Sequence, residues 1–177
     1  MHDTEKKEKL DWQLAQEKIA KYLSANNFSI WEERKIGRKR VDILAKRVIN
    51  DVVYYLIFEI KNYNKISASE ETKFEGQLLE YLKSLILREK KRKKLTNLLD
   101  KNIFVGYLVF SNDYGIYHNR RKNWRKTNAF EGNEELETIW KRNVHLFCST
   151  PGYIQKNLDS IGLQLYKQKK ILDFFDS

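Results

Sequence analysis

From Leu10 to Ser24 the apolar residues Trp12, Ala15, Ile19, Tyr22 and Leu23 recur every three or four positions. That spacing predicts an amphipathic helix, closed by the Asn26-Asn27 turn. The period then falls to two. Phe28 to Glu33 alternates Phe28, Ile30 and Glu32 with Ser29, Trp31 and Glu33, which reads as a strand. A basic link, Arg34 to Arg40 with Gly37 inside it, leads to a second β-rich run from Val41 to Arg47. Asn50-Asp51 is turn chemistry, and Val52 to Lys61 after it is the clearest strand of the chain. Three strands this close in sequence predict an antiparallel meander.

Asn62 to Ser69 is a polar loop, and from Glu70 the period becomes 3.6, with Phe74, Leu78, Tyr81, Leu82 and Leu85 on one stripe. This helix is expected to continue into the basic segment that follows. Ile103 to Phe110 is almost continuously apolar, as in a strand covered on both faces, and a long helix leading to it predicts a crossover connection. A second basic stretch reads as a loop. A short helix from about Glu134 to Arg142, a strand from Val144 to Cys148 and a partly helical tail after Pro151-Gly152 complete the pattern. The order α-β-β-β-α-β-α-β predicts an α/β fold with a central mixed sheet flanked by helices. With domains typically near 150 residues, residues 1–177 read as one domain, its core about 10–150 and a C-terminal extension over 151–177.

Composition narrows the function. Hydrophobic residues make up 41% of the chain and aromatic residues 13%, enough for a packed core, so wholesale disorder is excluded. No apolar window long enough to span a bilayer occurs, and no apolar stretch follows the charged N-terminus, so no membrane partner and an intracellular, cytoplasmic location are expected. The lone Cys148 and the dispersed His2, His118 and His145 match no zinc spacing; His145 and Cys148 sit among apolar neighbours and read as core residues. Net charge is +10, which points to a polyanionic partner, nucleic acid before membrane. The excess is concentrated in two runs. One holds Lys90, Lys91, Arg92, Lys93 and Lys94; the other holds Arg120, Arg121, Lys122, Arg125 and Lys126, interleaved with Trp124 and preceded by Tyr114 and Tyr117. Such a mixture suits phosphate neutralisation and base stacking; one run alone reads rather as a solvated face or loop, and the two together in a chain of this charge balance the two readings.

Candidate chemistry lies at the ends of two strands. Glu59 and Lys61 end the most apolar strand two residues apart, so the pleat sends both side chains to one face and Ile60 to the other. Asp42 interrupts the aliphatic run Val41-Asp42-Ile43-Leu44, where an ionised side chain is costly unless something compensates it. If the two strands pair across Asn50-Asp51, all three side chains reach the same end of the hairpin. Two carboxylates and a backbone carbonyl are hard oxygen donors suited to Mg²⁺ or Mn²⁺, and a neighbouring lysine can serve a hydrolytic water. The competing reading of Glu-x-Lys is a surface ion pair, and of Asp42 a turn cap or a partner for Arg40 or Lys46. No phosphate-binding glycine loop, G-x-S-x-G or H-E-x-x-H occurs in the chain.

The segments Arg40-Val41-Asp42-Ile43-Leu44-Ala45, Ile57-Phe58-Glu59-Ile60-Lys61 and Gln77-Leu78-Leu79-Glu80-Tyr81, in this order, resemble the motifs of the PD-(D/E)xK nuclease superfamily. That group includes restriction endonucleases and Holliday-junction resolvases and has an αβββαβ core. The resemblance spans about Glu17 to Ser111, and Val41 replaces the proline of the motif. It implies that Asp42, Glu59 and the Ile60 carbonyl bind divalent metal and that Lys61 serves the attacking water. Gln77 would be auxiliary, unless it only hydrogen-bonds the backbone. Glu17 would be the first-helix acid, although it lies opposite Ala15, Ile19 and Tyr22 and is solvent-exposed if those residues face the core. The expectation is a metal-dependent endonuclease acting on double-stranded or branched DNA, with a homodimer supplying two centres where both strands are cut. A non-cutting nucleic-acid-binding module and an RNA-directed nuclease are the alternatives.

Overall fold

The computed structural model describes residues 2–36, 38–61, 67–110, 120–121 and 130–163. Helix α1 (His2–Ala25) starts well before Leu10, because the Glu- and Lys-rich segment ahead of it is itself a good helix former. Strands β1 (Ser29–Ile36), β2 (Lys39–Ile49) and β3 (Val52–Lys61) form the expected antiparallel meander. Most of the basic link is strand, since Arg34 pairs with Val41, Lys35 with Arg40 and Ile36 with Lys39. Pairing prevails over composition there. Gly37 and most of the polar loop, residues 62–66, lie outside the described residues.

Helix α2 (Ala68–Arg92) opens with a capping box in which the Ser67 hydroxyl accepts from the Glu70 amide and Glu70 accepts from the Ser67 amide. It does not run on through the basic segment. Lys93 and Lys94 are extended, and a separate helix α3 (Leu95–Lys101) follows. The break has a physical reason. Lys93 Nζ donates to Tyr55 Oη at 2.9 Å and to Asn102 Oδ1 at 2.8 Å and lies 3.7 Å from buried Glu89, while Tyr55 donates to Glu89 at 3.0 Å. The chain turns so that one lysine can satisfy a carboxylate beneath the helix.

Strand β4 (Asn102–Phe110) lies parallel to β3, as the crossover requires. Arg120 and Arg121 make a two-residue strand β5 rather than a plain loop. Helix α4 (Glu134–Asn143), strand β6 (Val144–Ser149), a 3₁₀ turn (Pro151–Tyr153) and helix α5 (Ile154–Ser160) follow. The mixed sheet has the order β1-β2-β3-β4-β6-β5. One face packs Leu44, Tyr55, Ile57, Phe104 and Leu108 against Phe74, Leu78 and Leu82 of α2, with Leu98 of α3 and Trp140 of α4 in the same core. The other packs Ile43, Leu56, Phe58 and Val105 against Ile19 and Tyr22 of α1 and Ile154 and Leu158 of α5. The molecule is therefore an α/β sandwich with helices on both faces of its sheet. Among the described residues no helix is long and apolar enough to cross a membrane.

Gly106 lets α2 lie close to β4. A Cβ there would come within 2.8 Å of Leu82 Cδ1 and 3.1 Å of Leu146 Cδ2. Gly106→Ala is expected to lower stability by about 1–3 kcal/mol in urea denaturation, the cost of overpacking a filled core. Lys93→Ala is expected to cost a similar amount, about 1–3 kcal/mol, because the Tyr55 and Asn102 oxygens lose their donor and buried Glu89 loses a positive neighbour. Exposed Lys91→Ala should stay within about 0.5 kcal/mol of the parent by the same measurement.

Candidate active site

The site begins with the pleat of β3. Ile57 belongs to the core under α2, whereas Phe58 and Ile60 belong to the core under α1. Glu59 and Lys61 therefore follow Ile57 on the α2 face. The β2–β3 ladder ends at the Ile43–Phe58 pair, and Asp42, the next residue of β2, lies near enough to Glu59 for the two charges to interact. Asp42 Oδ2 accepts a hydrogen bond of 2.6 Å from the Ile60 amide, which fixes the carboxylate against the end of β3. Lys61 Nζ lies 3.3 Å from Glu59 Oε2 and 4.7 Å from the centroid of the Phe74 ring. The three side chains picked out in the sequence converge at one end of the hairpin.

Helix α2 roofs this cluster with residues one turn apart. Phe74 covers Lys61, and the Tyr81 hydroxyl hydrogen-bonds to Glu59. Gln77 is half-buried on the stripe between them. From the first helix it is Gln16, not Glu17, that reaches the cluster. Gln16 Nε2 donates to the Asp42 carbonyl at 3.4 Å and to Glu33 Oε1 at 3.3 Å. Glu17 is exposed and pairs with Lys21 at 2.8 Å, one turn along the same helix. The Ile60 side chain packs in the opposite core while its amide serves Asp42.

Burial dominates the electrostatics. Loss of hydration pushes the Asp42 carboxyl up to about 6 against the pull of the Ile60 amide and the Lys61 charge. Glu59 rises to about 7, through burial first and the neighbouring Asp42 charge second, with Lys61 and Tyr81 opposing. The two carboxyls interact, so the protons belong to the pair. The Tyr81 phenol is pushed up to about 12 by burial and by the Glu59 and Asp42 charges. Glu59 Oε1 is buried with no hydrogen-bond partner among the described residues. A hard cation would supply what that oxygen lacks, so the donor set fits Mg²⁺ or Mn²⁺. No three His, Cys, Asp or Glu side chains among the described residues gather tightly enough to enclose a metal unaided.

The two basic runs lie in different places. Lys90 to Lys94 follow Tyr81 by roughly 18 Å of helix, at the end of the sheet away from the carboxylates. There Arg92, Lys93, Lys94 and Lys101 line an open cavity of about 480 Å³. This run does not surround the Asp42–Glu59 cluster, and Lys93 is engaged with Glu89 and Tyr55. The second run is better aligned. Glu59 pairs with Leu108, Leu108 with Cys148 and Cys148 with Arg120, so Arg120 stands level with Glu59 across the sheet. Three strand spacings separate them, about 14 Å. Arg121 pairs with Phe147, and Lys122, Trp124, Arg125 and Lys126 lie outside the described residues. Cys148 is buried in the core and His145 is half-buried.

Tyr81, Gln16 and Glu33 are the site residues that the sequence reading left out. Gln16 carried a signal, being three residues before Ile19 and seven before Leu23 on the buried stripe of α1. Tyr81 was visible only as a core position, and nothing marked Glu33.

Both carboxyls hold protons in the folded chain at pH values where the unfolded chain has lost them. Stability from this pair is therefore full at acid pH and falls as pH rises through the interval from about 4 to about 7. Glu59→Gln, a neutral isostere, is expected to exceed the parent by roughly 1–3 kcal/mol at pH 8 without divalent cation, with the gap narrowing as pH falls to 5. Thermal or urea unfolding at several pH values measures this. An unchanged gap across that range would contradict the pairing.

No protein-family model matches the chain, and no match is found among curated proteins or solved structures.

Proposed function

We propose that this chain is a divalent-cation-dependent endonuclease that hydrolyses DNA phosphodiester bonds, built on a restriction-endonuclease-like αβββαβ core. The observation that carries the reading is the meeting of Asp42, Glu59 and Lys61 at one strand end, with one buried Glu59 oxygen left unpartnered. The order of elements from α1 to β4 and the motifs resembling the PD-(D/E)xK superfamily support it, as does the +10 charge.

Asp42 and Glu59 would hold Mg²⁺ or Mn²⁺, and such an ion supplies Lewis-acid polarisation of a phosphoryl oxygen and a lowered water pKa. The rest of the work falls to the protein. Water attacks phosphorus in line as the opposite P–O bond breaks, and negative charge grows on the phosphoryl oxygens and the departing oxygen. Lys61, held between Glu59 and the Phe74 ring, presents N–H donors to the attacking water and to that growing charge. The Ile60 amide keeps Asp42 in place, and Tyr81 and Phe74 keep bulk water off the Glu59 side. Arg120 stands level with Glu59 in the sheet register, a position from which a basic residue would suit the phosphate backbone.

Supercoiled plasmid, branched DNA and single-stranded RNA incubated with Mg²⁺ or Mn²⁺ provide the test. Cleavage of DNA is expected, falling at least roughly 100-fold in Asp42→Asn, Glu59→Gln and Lys61→Ala while circular dichroism stays unchanged. Conversion of plasmid to the nicked form needs one centre, whereas concerted linearisation would reveal a homodimer. Binding with no cutting of any substrate would favour the nucleic-acid-binding module, and cutting confined to RNA the RNA-directed enzyme. Full activity in all three variants would refute the assignment.

A further inference from the structure

The α3–α4 side of the molecule carries three hollows that run into one another. Arg92, Lys93, Lys94 and Lys101 line the first, of about 480 Å³, where Asp100 is the one acid among the lining residues. Leu99 and Ile139 line the second, of about 150 Å³, together with Thr96, Glu135 and Thr138. Glu131, Glu134 and Glu137 line the third, of about 580 Å³, where Lys141 is the one base. Thr96 is common to the first two and Thr138 to the last two, so they form one groove, basic at one end, apolar in the middle and acidic at the other. Its floor is fixed, because the Asn143 side chain of α4 donates to the carbonyls of Leu98 and Leu99 in α3 and of Asn102.

Helix dipoles account for part of this pattern. Glu134 and Glu135 stand in the first turn of α4, and Arg92 and Lys101 in the last turns of α2 and α3, where such charges are favoured. They do not account for Lys94, which sits at the N-cap of α3, the end that disfavours a cation, and makes no capping hydrogen bond. Arg92, Lys94 and Lys101 are exposed, as are Glu131, Glu134 and Glu135, and none of the six forms an ion pair with another described residue. The three bases lie on the α2–α3 side of the apolar strip and the three acids on the α4 side.

Such a surface complements itself. Turned about a two-fold axis through the apolar strip, a second copy sets its bases on the first copy's acids and its acids on the first copy's bases. Both contacts form at once and partly buried Leu99 of each copy is covered, whereas a head-to-tail arrangement makes one of the two contacts per pair. We propose that the groove along α3 and α4 is a docking surface for a second copy of this chain, the basic end of each copy meeting the acidic end of the other. The interface is mostly polar, so the pair is weak and salt-sensitive. It does not depend on what Asp42 and Glu59 bind.

Sedimentation velocity of the whole chain at about 0.05 M salt and at about 0.5 M, where screening shortens to roughly 4 Å, measures the pairing. The expected mass is twice the 21.3 kDa of one chain at low salt and that of one chain at high salt. Lys94→Glu/Lys101→Glu and Glu131→Lys/Glu134→Lys each set like charges against one another, and each is expected to weaken self-association at least about tenfold with circular dichroism retained. Mixing the two variants is expected to restore a pair at least as tight as the wild type, because both contacts of the mixed pair again join opposite charges, and misfolded chains would give no such rescue. A monomeric wild type at low salt and about 0.1 mM chain would overturn the proposal. So would a pair indifferent to both variants, or variants that fail to rescue each other. Mass that keeps growing with concentration would show an open chain and overturn the closed pair. Duplex DNA binding weakened at least about tenfold by Lys94→Glu/Lys101→Glu, in a chain whose wild type is monomeric, would assign the basic end to a phosphate backbone instead.

Discussion

Glu59 is a carboxylate on a central strand, flanked by β2 and β4 and roofed by α2, and it is 4% exposed. An ionised group in that position costs several kcal/mol unless its oxygens are matched. The match is half made. Lys61 and Tyr81 serve the group, Oε1 has no partner among the described residues, and neighbouring Asp42 adds a like charge. The pair relieves the cost by holding protons to unusually high pH, and a cation would relieve it further by replacing them. Much of the local architecture follows from holding such a group in place: the Ile60 amide turned to Asp42, Phe74 over Lys61, and Gln16 tying β1 to β2.

A second buried carboxylate shows what a completed arrangement looks like. Glu89 is also 4% exposed, yet Tyr55 donates to it and Lys93 and Arg88 lie 3.7 and 3.6 Å away. One of its oxygens accepts from Tyr55, and the other faces the Arg88 guanidinium. Its network ends α2, starts the turn into α3 and ties Asn102 at the head of β4, which is a structural task. The two acids sit near opposite ends of one helix and differ in closure. A satisfied buried charge specifies a fold, whereas one left open and set beside another acid invites a ligand.

The sequence made the fold legible where periodicity was strong. The meander, the crossover to β4, α4 and β6 all follow from alternation, apolar runs and turn residues. So did the trio, because two residues on a pleated strand must share a face and a buried Asp in the preceding strand must face something. What failed to show was tertiary. Nothing local says that Lys93 folds inward to Glu89 and stops the helix, since a lysine run has no periodicity of its own. Glu17 against Gln16 is a difference of one position, about 100° around the helix, and only packing decides it. Glu33 is harder still, because its place depends on register between strands and on a backbone conformation no residue preference announces. Charge counting misled in a related way. Lys90 to Lys94 weigh as much as Arg120 to Lys126 in the +10 total, but among the described residues of the two runs it is Arg120 that is brought level with the acids.

That level line has consequences for any polyanion that meets it. One row of the sheet runs from Glu59, with Asp42 beside it, through apolar Leu108 and Cys148 to Arg120 at the far edge. Residue type along the row thus passes from acid to base over three strand spacings, about 14 Å. On the proposed reading, a phosphate backbone would be repelled as it nears the acids, and neutralising them would remove that repulsion. A cation at the carboxylates would then favour the nucleic acid, and by reciprocity the nucleic acid would favour the cation. Such a coupling would need no moving part, because the acids are set in place by the sheet itself.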